Sequence, residues 1–292
     1  MKTMTLEEAI PRIRELPTLP QIVLKIMDTI NNPNSSALDL GELVSADQSL
    51  SATLLRVVNS AYYGFSRRVT SISQAIVLLG FAEVRKLTLA AKTFEALGIG
   101  GSMERRKRLW RHVFATAMAA ELIAKQGARG NTGFFEAGLL HDIGRVAMEL
   151  LFGDAFEQSI VLLEERGTVD LCAVEREVFG FDHAQFGGAL AEHWRLPPAL
   201  REAIQRHHAP HLARLEPGLA HLTALANWLA NSAGFSEIPP RDEQTARLPL
   251  VDSLEALRVP EETTRLLIDT LVESTARLDA LLASVTGSPA GV

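Results

Sequence analysis

An adjacent histidine and aspartate stand inside a mostly apolar stretch of this chain, in the segment GLLHDIGRVAMELLF. Packing alone explains the pair poorly, because His141 and Asp142 are polar while their surroundings are typical of a buried helix. A helix advances about 100° per residue, so both side chains leave it from one edge. An imidazole nitrogen and a carboxylate oxygen can then reach the same cation. The pair therefore predicts a metal or phosphate site to which other elements add ligands.

Further histidines are candidate partners for this pair, namely His112, His183 and the doublet His207–His208. A single helical histidine is usually a half-buried, hydrogen-bonded core residue, so none of them indicates a ligand by itself. Their occurrence in this order favours a shared site instead. The remaining histidines are interpreted as structural residues: His193 at a helix C-terminus, His211 in a loop and His221 outside any motif.

The order His, His-Asp, His, His-His, with segments around it, resembles the HDOD family, an HD-related output domain of bacterial signalling proteins. The resemblance runs from about Leu16 to Asn231. It implies an all-α, multi-helix HD-like bundle that acts as a regulatory module, often without demonstrated catalysis, with other signalling proteins as partners. The motifs are the LPTLP segment from Leu16, the Asn59-Ser60-Ala61 turn, Leu79-Gly80, Glu175 ahead of Gly180 and His183, and the segment Trp194–Pro197.

Within the wider HD superfamily of metal-dependent phosphohydrolases, the resemblance implies two metal sites that share the paired aspartate. The first site would use His112, His141 and Asp142. A late aspartate of that site is replaced here by Asn227, whose amide oxygen can bind a cation but has no charge. The second site has its full set, and its imidazoles and carboxylate suit Fe, Zn or Mn. That set is Asp142, His183, His207 and His208.

Hydrolysis of a phosphoester by two metals requires ions about 3.5–4 Å apart, and Asn227 weakens the first of them. In the HD-GYP branch a lysine stands where this chain has Arg145, and a Gly-Tyr-Pro loop stands where it has Ala209–Ala213. These departures disfavour a cyclic-dinucleotide phosphodiesterase. Two functions stay open: a signalling module that acts through protein–protein contacts and holds a metal, or a metal-dependent phosphohydrolase that uses Asp142 and Arg145.

Composition limits the other classes of function. The chain has 292 residues, 47% of them hydrophobic and 22% charged, which favours a folded protein with a large core. Its net charge of −6 gives no general basic surface, so we expect no nucleic-acid partner. The cluster Arg105–Arg108 with Arg111 is interpreted as the solvated start of a helix, the alternative being a phosphate contact. A helix-turn-helix in the first half of the chain is the DNA-binding alternative. The helix faces there lack the many Arg, Lys and Asn residues that contact with bases and phosphates requires.

One cysteine, Cys172, excludes an internal disulfide and is consistent with a reducing compartment. The chain opens without a charged and apolar leader, and no run approaches about 18 uncharged apolar residues. We therefore expect a cytoplasmic protein without membrane contact.

The hydrophobic period is helical almost throughout, beginning with a stripe between Ile22 and Ile30. Gly98–Ser102 is the clearest linker, and it divides the chain into an N-terminal helical subdomain, 1–98, an HD-like subdomain, 103–233, and C-terminal helices, 251–285. We interpret the last helices as docking onto the parent domain, with dimerisation as the alternative, so a homo-oligomer stays open. The predicted helices are 38–44, 50–58, 73–79, 81–97, 103–126, 133–151, 154–166, 170–178, 183–193, 198–208, 217–232, 251–257 and 260–285.

Overall fold

Helices are the only regular elements among the residues that the structure describes. This computed structural model describes residues 4–16, 21–31, 36–60, 62–97, 103–126, 133–166, 170–236 and 251–286. The predicted all-α fold is confirmed. No helix in the described ranges combines the length and the apolar character that crossing a bilayer requires.

Two 3₁₀ turns, Ile10–Glu15 and Pro210–Leu212, stand between α-helices in the described ranges. The α-helices are α1 Leu6–Ala9, α2 Gln21–Asn31, α3 Ala37–Ser45, α4 Gln48–Val58, α5 Ile72–Leu79, α6 Phe81–Leu97, α7 Met103–Lys125, α8 Phe134–Leu140, α9 Ile143–Arg166, α10 Leu171–Phe179, α11 His183–His193, α12 Pro198–Arg206, α13 Pro217–Ser232, α14 Val251–Leu257, α15 Glu261–Glu273 and α16 Thr275–Thr286.

The chain forms two compact units. Unit 1 comprises Met1–Thr18 and Ile99–Val272, and unit 2 comprises Leu19–Gly98 and Glu273–Val292. The predicted linker Gly98–Ser102 and most of the predicted loop Gly234–Leu250 lie outside the described residues. The division into subdomains 1–98, 103–233 and 251–285 stays a prediction.

Local polar contacts define the helix ends of unit 2. Ser36 caps α3 by accepting a hydrogen bond from the Asp39 amide. Asn59, at the end of α4, donates to the carbonyl oxygens of Leu55 and Val69 at 2.7 and 2.8 Å and accepts from the Val69 amide at 2.8 Å. The Asn59 turn therefore fixes the segment between α4 and α5. Helix α16 packs on α4 and α6 of the same unit.

In unit 1, α7 and α13 pack on each other and on α8, and α12 packs on α13 and α8. Helix α11 packs on α12 and on α9. Two glycines permit close approaches there. A Cβ atom on Gly138 of α8 would lie 2.6 Å from the Ala117 Cα of α7. A Cβ atom on Gly144 of α9 would lie 2.0 Å from the carbonyl oxygen of His183 in α11. Helix α14 docks on α13, where Nδ1 of His221 lies 3.0 Å from the Ser253 hydroxyl.

Three predicted helix boundaries in unit 1 and at its end were wrong. The helix predicted over 133–151 ends at Leu140 and resumes at Ile143, because Nδ1 of His141 bonds to the Gly138 carbonyl and competes for the acceptor that Asp142 would use in a helix. The gap predicted before 154 is instead a kink at Phe152, with φ −126° and ψ 20°, inside α9. The last predicted helix, 260–285, is interrupted at Ser274.

A buried glutamate fixes the connection between α12 and α13. Glu202 of α12 accepts hydrogen bonds from the backbone amides of Arg214, Leu215 and Glu216 at 2.6, 2.7 and 2.8 Å. Burial by itself would raise the pKa of Glu202, but these three amides outweigh it and lower the pKa.

Glu202→Gln should lower the free energy of unfolding by about 2–4 kcal/mol at neutral pH, since an amide nitrogen then faces backbone donors. The folded pKa lies below the unfolded one, so the stabilisation is fully present above about pH 4.3 and is lost as pH falls through the folded pKa. Denaturant unfolding of both proteins at several pH values measures this difference. Glu192→Gln is the control, because Glu192 is exposed and forms a surface ion pair with Arg201 at 2.7 Å. The prediction would be contradicted if the difference in the free energy of unfolding between Glu202→Gln and the unmodified protein stayed the same in acid.

Candidate metal centre

Four elements of unit 1 bring the predicted ligands together. His112 lies in the middle of α7, His141 and Asp142 form the turn between α8 and α9, and His183 is the first residue of α11. His207 and His208 directly follow α12. The exposed fractions of the buried members are 3% for His112, 0% for His141, 7% for Asp142, 1% for His183 and 2% for His207, whereas His208 is exposed.

Each buried imidazole uses its Nδ1 atom to contact an oxygen that can only accept. Those contacts are His112 to the Phe235 carbonyl at 2.9 Å, His141 to the Gly138 carbonyl at 2.8 Å, His183 to Glu175 Oε2 at 2.6 Å and His207 to the Ile204 carbonyl at 2.7 Å. Nδ1 therefore holds the proton in each ring, and Nε2 of a neutral ring is left with a lone pair. Metal-binding histidines are oriented in this way.

The Nε2 atoms of His112 and His141 point to one oxygen of Asp142. They lie 3.2 Å from each other, and 3.6 and 3.4 Å from Asp142 Oδ2. Ligand atoms held about 2.1 Å from one ion are themselves roughly 3.0–3.4 Å apart. The three atoms of this triad therefore have the spacing of ligand atoms around one cation.

A second set surrounds the other oxygen of Asp142. The Nε2 atoms of His183 and His207 lie 3.2 and 3.5 Å from Asp142 Oδ1 and 3.3 Å from each other. Nε2 of His208 lies 3.0 Å from Nε2 of His183. Oδ1 is buried and accepts no hydrogen bond from the described residues, which is costly unless a cation satisfies it. The residues present thus fit a divalent metal, and Asp142 would be the ligand common to both sets.

The charges of these groups also suit a cation. Burial and the neighbouring His141 lower the pKa of His112 to about 4, so this ring is neutral at physiological pH. Burial opposes ionisation of Asp142, but His141 and His183 hold its pKa well below the usual range. Burial likewise opposes protonation of His183, but Glu175 and Asp142 raise its pKa to about 10. A metal ion at this position replaces the proton on His183.

Two residues that the sequence assigned to this region have other contacts. Asn227, in α13, is buried, and its Oδ1 accepts a hydrogen bond from Nδ2 of Asn231 at 2.9 Å. Arg145, in the first turn of α9, is buried with its guanidinium carbon 5.9 Å from the centre of the Phe156 ring, and its charge is close enough to His112 to lower the pKa of that ring.

The histidines interpreted as structural do not join the centre. His193 lies in the last turn of α11, His211 is exposed in a 3₁₀ turn and His221 bonds to Ser253. In the basic cluster, Arg105 forms an ion pair with Glu149 at 3.1 Å and another with Glu157, so it packs against α9.

Sequence reasoning missed two residues of α10. Glu175 was recognised as part of a motif, but not as the partner that orients His183 through its ring and its backbone amide. Cys172 was considered only for its redox state, yet its sulfur lies within 4.8 Å of ring nitrogens of His183 and His208. For Glu175, the signal available in the sequence was its position eight residues before His183, with one turn between them.

A family model described as HDOD domain matches residues 16–210. A crystal structure of an HDOD domain protein with unknown function from Geobacter sulfurreducens is similar, with 26% identity and a TM-score of 0.78, covering 96% of this chain and 98% of that one. The structure of a candidate phosphohydrolase from Shewanella amazonensis SB2B is also similar, with 26% identity and a TM-score of 0.72, covering 94% of this chain and 97% of that one.

An uncharacterized protein of Treponema pallidum (strain Nichols) is 29% identical over 240 residues. The match covers 78% of this chain but 45% of the length of that relative.

Proposed function

Because the chain belongs to the HDOD domain family, we propose that it is a regulatory module of bacterial signalling that holds divalent metal at its buried histidine–aspartate centre. The observation that supports this most is the sharing of Asp142 by two sets of imidazoles. Fe, Zn and Mn are the ions that such a set of nitrogens and one carboxylate suits.

The proposed role of the metal is to fix the packing of unit 1. Its ligands come from α7, from the α8–α9 turn, from the start of α11 and from the end of α12. An ion bound there joins four elements that are far apart in sequence, so its presence stabilises one arrangement of those helices over others. Other signalling proteins would recognise that arrangement through surface contacts.

Metal-dependent phosphohydrolysis is the second candidate function. The bridging position of Asp142 favours it, because two ions that share a carboxylate can act together on a phosphoester. The similarity to the candidate phosphohydrolase from Shewanella amazonensis also supports it. Against it, the oxygen of Asn227 is engaged by Asn231, and Arg145 lies against Phe156.

A hydrolysis assay separates the two functions. We expect the protein loaded with Mn, Fe(II) or Mg to hydrolyse cyclic dinucleotides, nucleotides and generic phosphoesters no faster than its Asp142→Ala variant. The reason is that Asn227 supplies no charge to the first ion. Asn227→Asp should be assayed beside them, since it restores that charge. Turnover by the unmodified protein that depends on Asp142 would refute the regulatory role and establish the hydrolase.

A further inference from the structure

The second set of ligands has a sulfur atom beside it. Cys172 is the second residue of α10, is 6% exposed, and is the only cysteine in the chain. Its Sγ atom and ring nitrogens of His183 and His208 all lie within 4.8 Å of one another. Nδ1 of His183 is hydrogen-bonded to Glu175, so Nε2 is the nitrogen of this ring that can bind a cation.

A second observation points to a cation beside the same imidazole. The buried Asp142 Oδ1, which accepts no hydrogen bond from the described residues, lies 3.2 Å from that Nε2 atom of His183. His183 thus belongs both to the set with Asp142 and His207 and to the set with Cys172 and His208.

We propose that Cys172 is a thiolate ligand of a metal ion held by His183 and His208. The bond between Sγ and the metal forms as the thiol loses its proton to solvent. The proposal rests on the proposed metal centre and adds to it a soft ligand, which the order of histidines and aspartate did not predict.

The surroundings of Cys172 disfavour the thiolate when no cation is bound. Burial raises the pKa of Cys172, and the carboxylates of Asp182 and Glu175 raise it further. A divalent ion reverses this effect, because a coordinating thiol is deprotonated. Thiolate ligands favour Zn, Co and Fe(II) over the harder Mn and Mg, so Cys172 would bias the centre toward the former.

Cobalt titration tests the assignment without requiring a variant. Co(II) bound by a thiolate gives an intense near-ultraviolet sulfur-to-cobalt charge-transfer band that nitrogen and oxygen ligands do not give. Since the chain has one cysteine, such a band in the full-length protein belongs to Cys172. We expect the band to grow with added Co(II) and to disappear as Zn displaces the bound Co(II).

Variants of α10 make the test specific. Cys172→Ser and Cys172→Ala should bind Co(II) without the band and should bind Zn about tenfold more weakly or worse. Val174→Ala, which shortens another buried side chain of the same helix, should keep the band. Elemental analysis of each protein reports total metal independently.

The possible outcomes separate the proposal about Cys172 from the proposal of the histidine–aspartate metal centre. Cobalt bound by the unmodified protein without a charge-transfer band would overturn the role of Cys172 and leave the histidine–aspartate centre standing. A band that persists in Cys172→Ala would also overturn it. Failure of the unmodified protein to bind Co(II), Zn, Fe or Mn would overturn both proposals.

Discussion

Asp142→Ala is expected to remove the stabilisation that metal gives to this protein. A ligand present at about 1,000 times its dissociation constant adds about 4 kcal/mol to the free energy of unfolding. In the variant both sets of imidazoles lose the carboxylate that they share, so added Zn, Fe or Mn should raise the melting temperature little or not at all. The measurement compares unfolding of each protein with and without metal, together with its metal content by elemental analysis.

Asp154→Ala is the matched control for this change, because Asp154 is an exposed aspartate in α9, outside the centre. It should keep the full response to metal. Asp142→Asn preserves the shape of the side chain and removes its charge, so it should show how much of the response is electrostatic. Equally low metal content in the unmodified protein and in Asp142→Ala, after reloading, would mean that the cluster is only a polar part of the core.

Gly144→Ala is expected to destabilise the protein by about 3 kcal/mol or more. The added Cβ would lie 2.0 Å from the His183 carbonyl oxygen and 2.8 Å from the Gly187 amide nitrogen. Both are backbone atoms, so α9 and α11 must move apart, and His183 moves away from Asp142. Metal affinity should therefore fall together with stability, which equilibrium unfolding and metal titration measure.

Gly153→Ala provides the comparison in the same helix, because a Cβ at that position would have no described atom within 4 Å apart from its chain neighbours and the backbone of its own helix. It should be neutral or should stabilise by up to about 1 kcal/mol, since alanine favours a helix. Equal stability of Gly144→Ala and Gly153→Ala would show that α9 and α11 are less closely packed than described.

The identity of the clustered histidines was predictable from their order, whereas the way they are held was not. The contacts of Nδ1 with the carbonyls of Gly138, Ile204 and Phe235 depend on where helices end, and hydrophobic periodicity defines those ends only approximately. The break at His141 illustrates this limit, because the surrounding apolar pattern continues without interruption.

Some side-chain contacts were also not predictable from the sequence. The pairing of Asn227 with Asn231 decides whether its amide oxygen is available, and no motif reports it. Cys172 approaches His183 and His208 only because α10 folds back beside them, which a single sequence does not reveal.

The supports of the four buried imidazoles differ in how they respond to genetic change. His112, His141 and His207 are oriented by main-chain carbonyls, and every amino acid supplies such an oxygen. No single substitution can delete those acceptors. His183 instead depends on the carboxylate of Glu175, which one codon change removes. Evolutionary drift can therefore adjust the basicity and orientation of one ring, through position 175, while the other three keep their geometry.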